Sequence, residues 1–442
     1  MRTAAPASRP RASGARGTFA GAAAALGDRH FRYYWISNAL FFIGQGLVLL
    51  GAQWLMLSLT GSRTILGLMG AIQATVVIAL TPAAGVLGDR LARRDLLIAG
   101  RVGFAVVTLG MGVMVIAGHA AVWNVLLAVG ISSIFLAVSQ PASQSYVTDI
   151  VGRDRLMTAL ALNAMATGVF QVLGPSVGGS LVAAVGSEAT YLAGGGGYVI
   201  GALLLMAIPI RGKTEGGGGG AWRQDVSEGI RHLGRDPLLR WVFLPTTLVT
   251  IFAGAILAMR PVFAREVLDV GASGLGWLGA AFGVGSLLGS IVVVGMGDRL
   301  KWKGLVLILG PLVWVLCMVV YAVSPWFVLN LFLEAGMGLT SPFWATCVMT
   351  ILQIRVPEQL RSRVLAVHFM IMQGMQLNWV LTGFVADLVG DRMALLIMGG
   401  IPAVMLLVML VTLRQLVFLG TDRHPLVTYV PPGSAVAAPA VS

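Results

Sequence analysis

Apolar residues fall in long blocks along this chain, broken by short polar stretches. A helix that crosses a bilayer needs about 20 apolar residues. Twelve blocks reach that length, at about 33–59, 64–87, 95–117, 121–147, 156–185, 189–210, 240–263, 273–296, 304–323, 326–353, 364–388 and 393–417. Charge is excluded from hydrocarbon, so the polar stretches between them face water. The pattern predicts an all-α polytopic membrane protein with twelve transmembrane helices. One connection, 211–239, is longer than the others and splits the spans six and six. Two six-helix bundles are therefore expected, over 33–210 and 240–417. The linker between them opens with Arg211 to Glu215 and five consecutive glycines, Gly216 to Gly220, and then sets Ile230, Leu233, Leu238 and Leu239 among charges. It is read as a surface-lying amphipathic helix. Residues 1–32 and 418–442 carry no such pattern and are expected to be disordered tails.

Composition agrees with a membrane protein. Of 442 residues, 57% are hydrophobic and 11% charged, against roughly 25% charged in a soluble domain. The net charge of +12 is spread over many short loops and forms no single basic surface, which excludes nucleic acid as a partner. Its distribution sets orientation instead. With the N-terminus inside, the outer side receives only Arg63, Arg260, Arg265 and Arg392, and the other 26 of the 30 Lys and Arg fall inside or in the tails. Both termini and the linker are then cytoplasmic. The Arg-, Ala- and Gly-heavy composition points to a bacterial source, hence a multi-pass protein of the bacterial inner (plasma) membrane. Cys317 and Cys347 both lie in apolar blocks and are read as reduced packing residues.

The halves repeat each other. Gly88-Asp89-Arg90-Leu91 recurs as Gly297-Asp298-Arg299-Leu300 after spans 2 and 8, and Arg155-Leu156 before span 5 matches Arg363-Val364 before span 11. The offsets are 209 and 208 residues, so two separate loops support one duplication. The first of these loops, Gly85 to Arg94, packs Asp89, Arg90, Arg93 and Arg94 between two apolar blocks, and Gly85 and Gly88 are expected to let it turn tightly.

The pattern G-x-L-G-D-R-x-x-R-R at 85–94 resembles the loop between helices 2 and 3 of the major facilitator superfamily. Leu173-Gly174-Pro175-Ser176-Val177-Gly178-Gly179 in span 5 resembles the core of that superfamily's exporter signature, G-P-x-x-G-G. Pro141 to Gln144, Pro261 to Leu268 and Val356 to Val364 extend the likeness to the bacterial exporter branch that includes enterobactin-exporter-like proteins. The resemblance implies an inner gate of Gly85, Gly88, Asp89, Arg90, Arg93, Arg94, Asp149 and Arg363, with Asp89 facing the start of span 11 near Ser362. It also implies a hinge at Gly174, Pro175, Gly178 and Gly179, and transport by alternating access.

Polar residues inside the spans are the candidate cavity. Asn38 and Gln45 share a face of span 1, Asn163 and Thr167 a face of span 5, and Gln373 and Gln376 a face of span 11 beside the stripe His368, Met372 and Met375. Glu334 is the one acid placed well inside a span. Burying it ionised is costly, so it is protonated or partnered, which makes it the proton-coupling candidate. Two phosphate-loop lookalikes, Ala207 to Thr214 and Gly274 to Gly279, lie at span ends and are read as accidents of helix packing. No catalytic or metal-binding arrangement stands out, so no enzyme activity and no cofactor are expected. The function expected is export of a small amphipathic molecule, drug-like or a siderophore, by proton antiport. An importer or facilitator of the same fold, or a non-transporting sensor or scaffold, is the alternative. The partners expected are substrate, protons and membrane lipid, and the chain is expected to act as a monomer.

Overall fold

The computed structural model describes residues 27–152, 156–212, 222–235, 237–296 and 303–412. Some side chains inside the helices, among them those of Gly85, Gly88, Asp89, Arg90 and Thr167, lie outside the description, as do most of both tails, the linker glycines and Gly297 to Leu300. Six helices come first: α1 (Arg29–Thr60), α2 (Arg63–Arg90), α3 (Arg93–Ile116), α4 (Val122–Val151), α5 (Leu156–Ala184) and α6 (Ser187–Met206). The linker helix α7 (Trp222–Arg235) follows. Then come α8 (Pro237–Val262), a π turn (Phe263–Val267), α9 (Gly271–Met296), α10 (Lys303–Val323), α11 (Phe327–Arg355), α12 (Glu358–Val389) and α13 (Asp391–Thr412). No strand occurs among the described residues.

A backbone in lipid must satisfy its own hydrogen bonds, so each apolar block becomes a helix, and proline is tolerated within it, as at Pro141, Pro175 and Pro342. Eleven of the described helices are long and apolar enough to cross a membrane. The remaining span, α5, has a shorter apolar run, Gly168–Ala184. Its 29 residues nevertheless reach roughly 43 Å at about 1.5 Å each, beyond the ≈ 30 Å of hydrocarbon. Large apolar side chains remain exposed around the outside: Val106 at 66%, Val294 at 81%, Phe332 and Val411 at 72%. On a soluble protein that would be a liability, and here it is the lipid-facing belt.

Several helices run a few residues past the expected edges, as α12 does from Glu358 and α4 to Val151, and two of these boundaries change the reading. The α1 helix begins at Arg29, inside the stretch expected to be a tail, because the Asp28 carboxylate accepts from the amides of His30 and Phe31 at 2.8 and 3.2 Å and caps it. The α2 helix runs through Gly85 and Gly88 to Arg90, and only Leu91 and Ala92 separate it from α3. The two glycines therefore hold helical positions and do not make the turn. A helix continues past the hydrocarbon wherever its backbone is free to do so, and the apolar pattern marks only where lipid ends.

Successive spans alternate in direction. We call the end where α1 begins the near end and the opposite end the far end. Within the first half α1 packs on α5 and α6, α3 on α4 and α6, and α2 on α4. Within the second, α9 packs on α11, α10 on α11 and α13, and α8 on α12. The main packing between the halves is α2 against α12 and α5 against α9. The linker helix α7 docks on α8 and α12, burying Leu233 in a cluster with Leu239, Val242, Val364 and Val367. Its surface is therefore the protein's own near end, reached through Leu233, while Ile230 points outward at 56% exposure.

Candidate functional site

The halves close on each other at the far end. Gly61, with φ 62°, ends α1, and Ser62 starts α2. Just there, Arg63 donates to Asp391 at the start of α13 from Nε and Nη2, at 2.8 and 2.9 Å, and also pairs with Glu266 on the π turn. Asp387, near the end of α12, accepts from the amides of Arg63 and Thr64 at 3.1 and 3.0 Å and from the hydroxyls of Ser62 and Thr64 at 3.1 and 2.6 Å. A carboxylate of the second half thus caps a helix of the first, where the amides are unpaired and the dipole is positive. Arg265, beside Glu266, lies 5.9 Å from the Trp54 ring of α1 and adds a second cross-half contact. Asp387→Ala is expected to weaken far-end closure by about 1–2 kcal/mol, roughly 5–30-fold, because Ser62 keeps only its own cap on Ile65. Spin-label distances between the far ends of α2 and α12 measure this, and an unchanged distribution would remove Asp387 from the closure.

Backbone contact extends the closure into the membrane. A side chain at Gly67 would collide with the Trp379 carbonyl, and one at Gly70 with the Trp379 indole. On the other side of the interface a Cβ on Gly179 would lie 2.7 Å from the Gly276 Cα. Pro175 and Gly179 thus face α9, whereas Gly174 faces α1, where its Cβ would lie 2.9 Å from the Gly46 Cα, and Gly178 packs on Leu47 of the same helix. The four residues expected to form a hinge stand at a junction of three helices. The lookalike glycines Gly276 and Gly279 pack on Pro175.

Two charged clusters lie inside the membrane region. Glu334 of α11 is fully buried, and Arg260 of α8 holds both its oxygens, Nε to Oε1 at 2.8 Å and Nη2 to Oε2 at 2.9 Å. Arg260 is therefore no outer loop charge. It is the counter-ion of Glu334, a partner 74 residues away that the one-dimensional pattern does not identify. In the first half Arg101 of α3 is 2% exposed. It donates from Nη2 to the side-chain Oδ1 of Asn38 at 3.1 Å and sits 3.6 Å over the Phe41 ring, and Asn38 in turn donates from Nδ2 to Oδ1 of Asn163 at 2.8 Å. The count of charges by side puts Arg101 with the 26 that are not on the outer side, and the structure buries it within a span instead. Its signal, a single arginine well inside an apolar block, was present in the sequence.

At the near end Arg93 donates from Nη1 to both Asp149 oxygens at 2.9 Å. Arg94 turns to the Ile208 carbonyl at 2.7 Å, and Tyr146 donates to the Ile210 carbonyl at 2.6 Å. These contacts gather α3, α4 and the end of α6 within the first half. Arg363, at the start of α12, pairs with Glu228 of α7. The Asp89 and Arg90 side chains lie outside the described residues.

A cavity of ≈ 140 Å³ opens between α1, α2, α3, α4 and α6, with Trp379 of α12 in its wall. Of the polar residues expected to line a cavity, Gln45 lines this one. Asn38 and Asn163 are engaged with Arg101 and each other, and Thr167 lies outside the described side chains. His368 is 4% exposed and packs edge-on against Phe243 at 6.1 Å, while Met372, Gln373 and Gln376 are half-buried along α12. Among the described residues no group of three His, Cys, Asp or Glu side chains could hold a metal ion.

Comparison with known proteins follows from this geometry. The enterobactin exporter EntS of Shigella boydii serotype 4 (strain Sb227) is 22% identical over 375 residues, 85% of this chain and 86% of that protein. EntS of Escherichia coli O1:K1 / APEC is 23% identical over 351 residues, 79% of this chain and 77% of that protein. Among solved structures, the nucleoside transporter NupG matches with a TM-score of 0.67 at 13% identity, covering 87% of this chain and 99% of that one. A bacterial homologue of the human lysosomal transporter Spinster, in an inward-facing and unoccupied conformation, matches with a TM-score of 0.67 at 16% identity, covering 91% and 98%. Residues 20–432 match the family described as transmembrane secretion effector. With its apolar helices, its two interlocked halves and that match over most of its length, the chain belongs to the transmembrane secretion effector family of the major facilitator superfamily of membrane transporters.

Proposed function

We propose that this transporter exports a small amphipathic molecule, a drug-like compound or a siderophore, by alternating access, and that proton exchange drives it. The observation that carries the reading is the far-end closure. It is made between the halves by Arg63, Asp387, Asp391 and Glu266, groups that water can replace when the halves part. The relatives named as exporters support the direction. The rocking units are the bundles 33–210 and 240–417, acting as a monomer, with the near end, both termini and the linker in the cytoplasm. Closure of the near end falls to Gly85, Gly88, Asp89 and Arg90 with Arg93, Arg94, Asp149 and Arg363, and the junction at Gly174 to Gly179 is the hinge. Glu334 takes the proton when Arg260 lets it go. One charge moving inward is worth about 2.3 kcal/mol per 100 mV, enough for roughly fifty-fold accumulation of a neutral substrate outside.

The test uses inverted membrane vesicles with an acidified lumen and rhodamine 6G as the amphipathic probe. Wild type is expected to accumulate the probe, Asp89→Asn to slow uptake about tenfold, and Asp225→Asn on α7 to leave it unchanged. Equal loss in both variants removes the gate assignment, and failure of wild type across a panel of amphipathic probes overturns export. A cysteine at Ser227, exposed on α7, should react with an impermeant maleimide only after the cells are opened.

A further inference from the structure

We propose that the cavity in the first half is a binding site for one neutral aromatic ring that carries an oxygen acceptor, and that the second half completes it. At ≈ 140 Å³ the cavity is about the size of an engineered apolar cavity of roughly 150 Å³ that takes up benzene. Its walls include the rings of Phe104, Tyr191, Tyr198 and Trp379, against which another ring packs offset or edge-on. Among the described residues no charged side chain lines it, so an ionised group inside would be desolvated without a counter-charge.

Two of the wall residues carry unused donors. The Tyr191 hydroxyl and the Trp379 indole N–H are buried and have no hydrogen-bond partner among the described residues, in residues only 3% and 4% exposed. Buried donors are almost always satisfied, and these two, packed shut in wall residues, reach an acceptor when their side chains turn toward an occupant. Gln45 and Gln73, half-buried in the same wall, supply further donors and acceptors for whatever the ring carries beyond it. The class of occupant follows: a benzamide-, aryl-ketone- or phenol-like group, uncharged, with one or two oxygens.

Trp379 comes from α12, and its indole reaches the cavity by lying across Gly70 of α2. That passage exists only where α2 and α12 meet without a side chain between them. The site is whole in the far-end-closed state and loses one of its two donors when the far end opens. An occupant therefore holds the far end shut. Binding is a claim about this chain whether or not export is its function, so the test reads binding without transport.

The test is ligand-observed fluorine NMR on the full chain in lipid nanodiscs, with empty discs subtracted. The probes are 4-fluorobenzamide, which can accept hydrogen bonds, and 4-fluorotoluene, which cannot. Wild type is expected to bind 4-fluorobenzamide saturably and 4-fluorotoluene at least tenfold more weakly. Tyr191→Phe and Trp379→Phe should each weaken 4-fluorobenzamide about tenfold and leave 4-fluorotoluene unchanged. Ala128→Phe, which puts a ring into the cavity from α4 and leaves both donor residues in the sequence, should abolish saturable binding of both. If Ala128→Phe does not fold, Tyr191→Phe still decides, because it removes only an unbonded hydroxyl. Equal affinity of 4-fluorobenzamide for wild type and Tyr191→Phe overturns the site, as does binding no greater than to empty discs, which would leave the cavity to water. Saturable binding by a protein that moves no probe in vesicles would overturn export and leave the site standing.

Discussion

Replacing Arg260 by leucine while Glu334 stays is expected to cost about 3–5 kcal/mol and to remove most folded protein from the membrane. Glu334 is fully buried and both its oxygens are held by that one guanidinium. Removing one partner of a buried pair leaves an uncompensated charge, and costs of this size are typical. The double variant Arg260→Leu/Glu334→Leu should recover most of the lost protein, because two apolar side chains need no counter-ion. Yield of monodisperse protein by size exclusion measures both. Glu334→Gln separates structure from coupling. It keeps the shape, cannot titrate and still offers Arg260 an amide oxygen. The guanidinium left without its counter-ion is the 13% exposed member of the pair, so substrate exchange should survive at lower protein yield while export driven by a pH gradient disappears. A Glu334→Gln variant with wild-type pH dependence places the coupling elsewhere, and a stable Arg260→Leu variant denies the pair its structural role.

Gly67→Val is expected to hold the far end open in a protein that still folds. The added carbons meet the Trp379 carbonyl, which is backbone and cannot rotate away. Overpacking of this kind costs about 1–3 kcal/mol, a shift of roughly 5–150-fold, and the cost falls only on the state in which α2 and α12 touch. In a background with Cys317 and Cys347 changed to serine, a cysteine at Gln376 should resist an impermeant maleimide added outside. The same cysteine should react once Gly67→Val is present. Equal reactivity in both would mean that this contact does not close the far end.

The residues legible in the sequence share a property: their role depends on composition or on near neighbours in the chain. A block of apolar residues must be a helix in lipid whatever lies beside it, so the spans can be read with edges off by a few residues. The linker helix is visible because Ile230 and Leu233 stand among charges. The places that escape depend on distant partners. Glu334 announces that something must compensate it, and nothing in sequence order names Arg260. Asp387 reads as an ordinary loop-proximal acid until α12 is laid antiparallel to α2, when it falls on the amides of Arg63 and Thr64. Gly85 and Gly88 mislead because glycine permits a turn without requiring one, and the α2 backbone has no reason to break. Arg101 escapes for a different reason: counting arginines by side hides those that lie on neither, and Arg260 is miscounted in the same way. The cavity is illegible because its walls are built from residues that any packed span contains, and only their convergence gives them meaning.

The two kinds of ion pair in this chain differ in what can replace them. Arg63 and its partners are 14–35% exposed, so when they separate water takes each place at once, and nothing is left bare. The amides that Asp387 caps hydrate in the same way. That latch can open and shut at the rate thermal motion brings the halves apart, with no reagent consumed. Glu334, at 0% exposure, has no water to turn to, even though the Arg260 side chain is 13% exposed. Their separation needs a substitute for the guanidinium on the carboxylate, and in hydrocarbon the smallest available substitute is a proton. On the proton exchange proposed above, a slip in which the halves rock without it is blocked by the scarcity of solvent at one carboxylate. The tightness of coupling would then be a matter of how dry the space between α8 and α11 is kept.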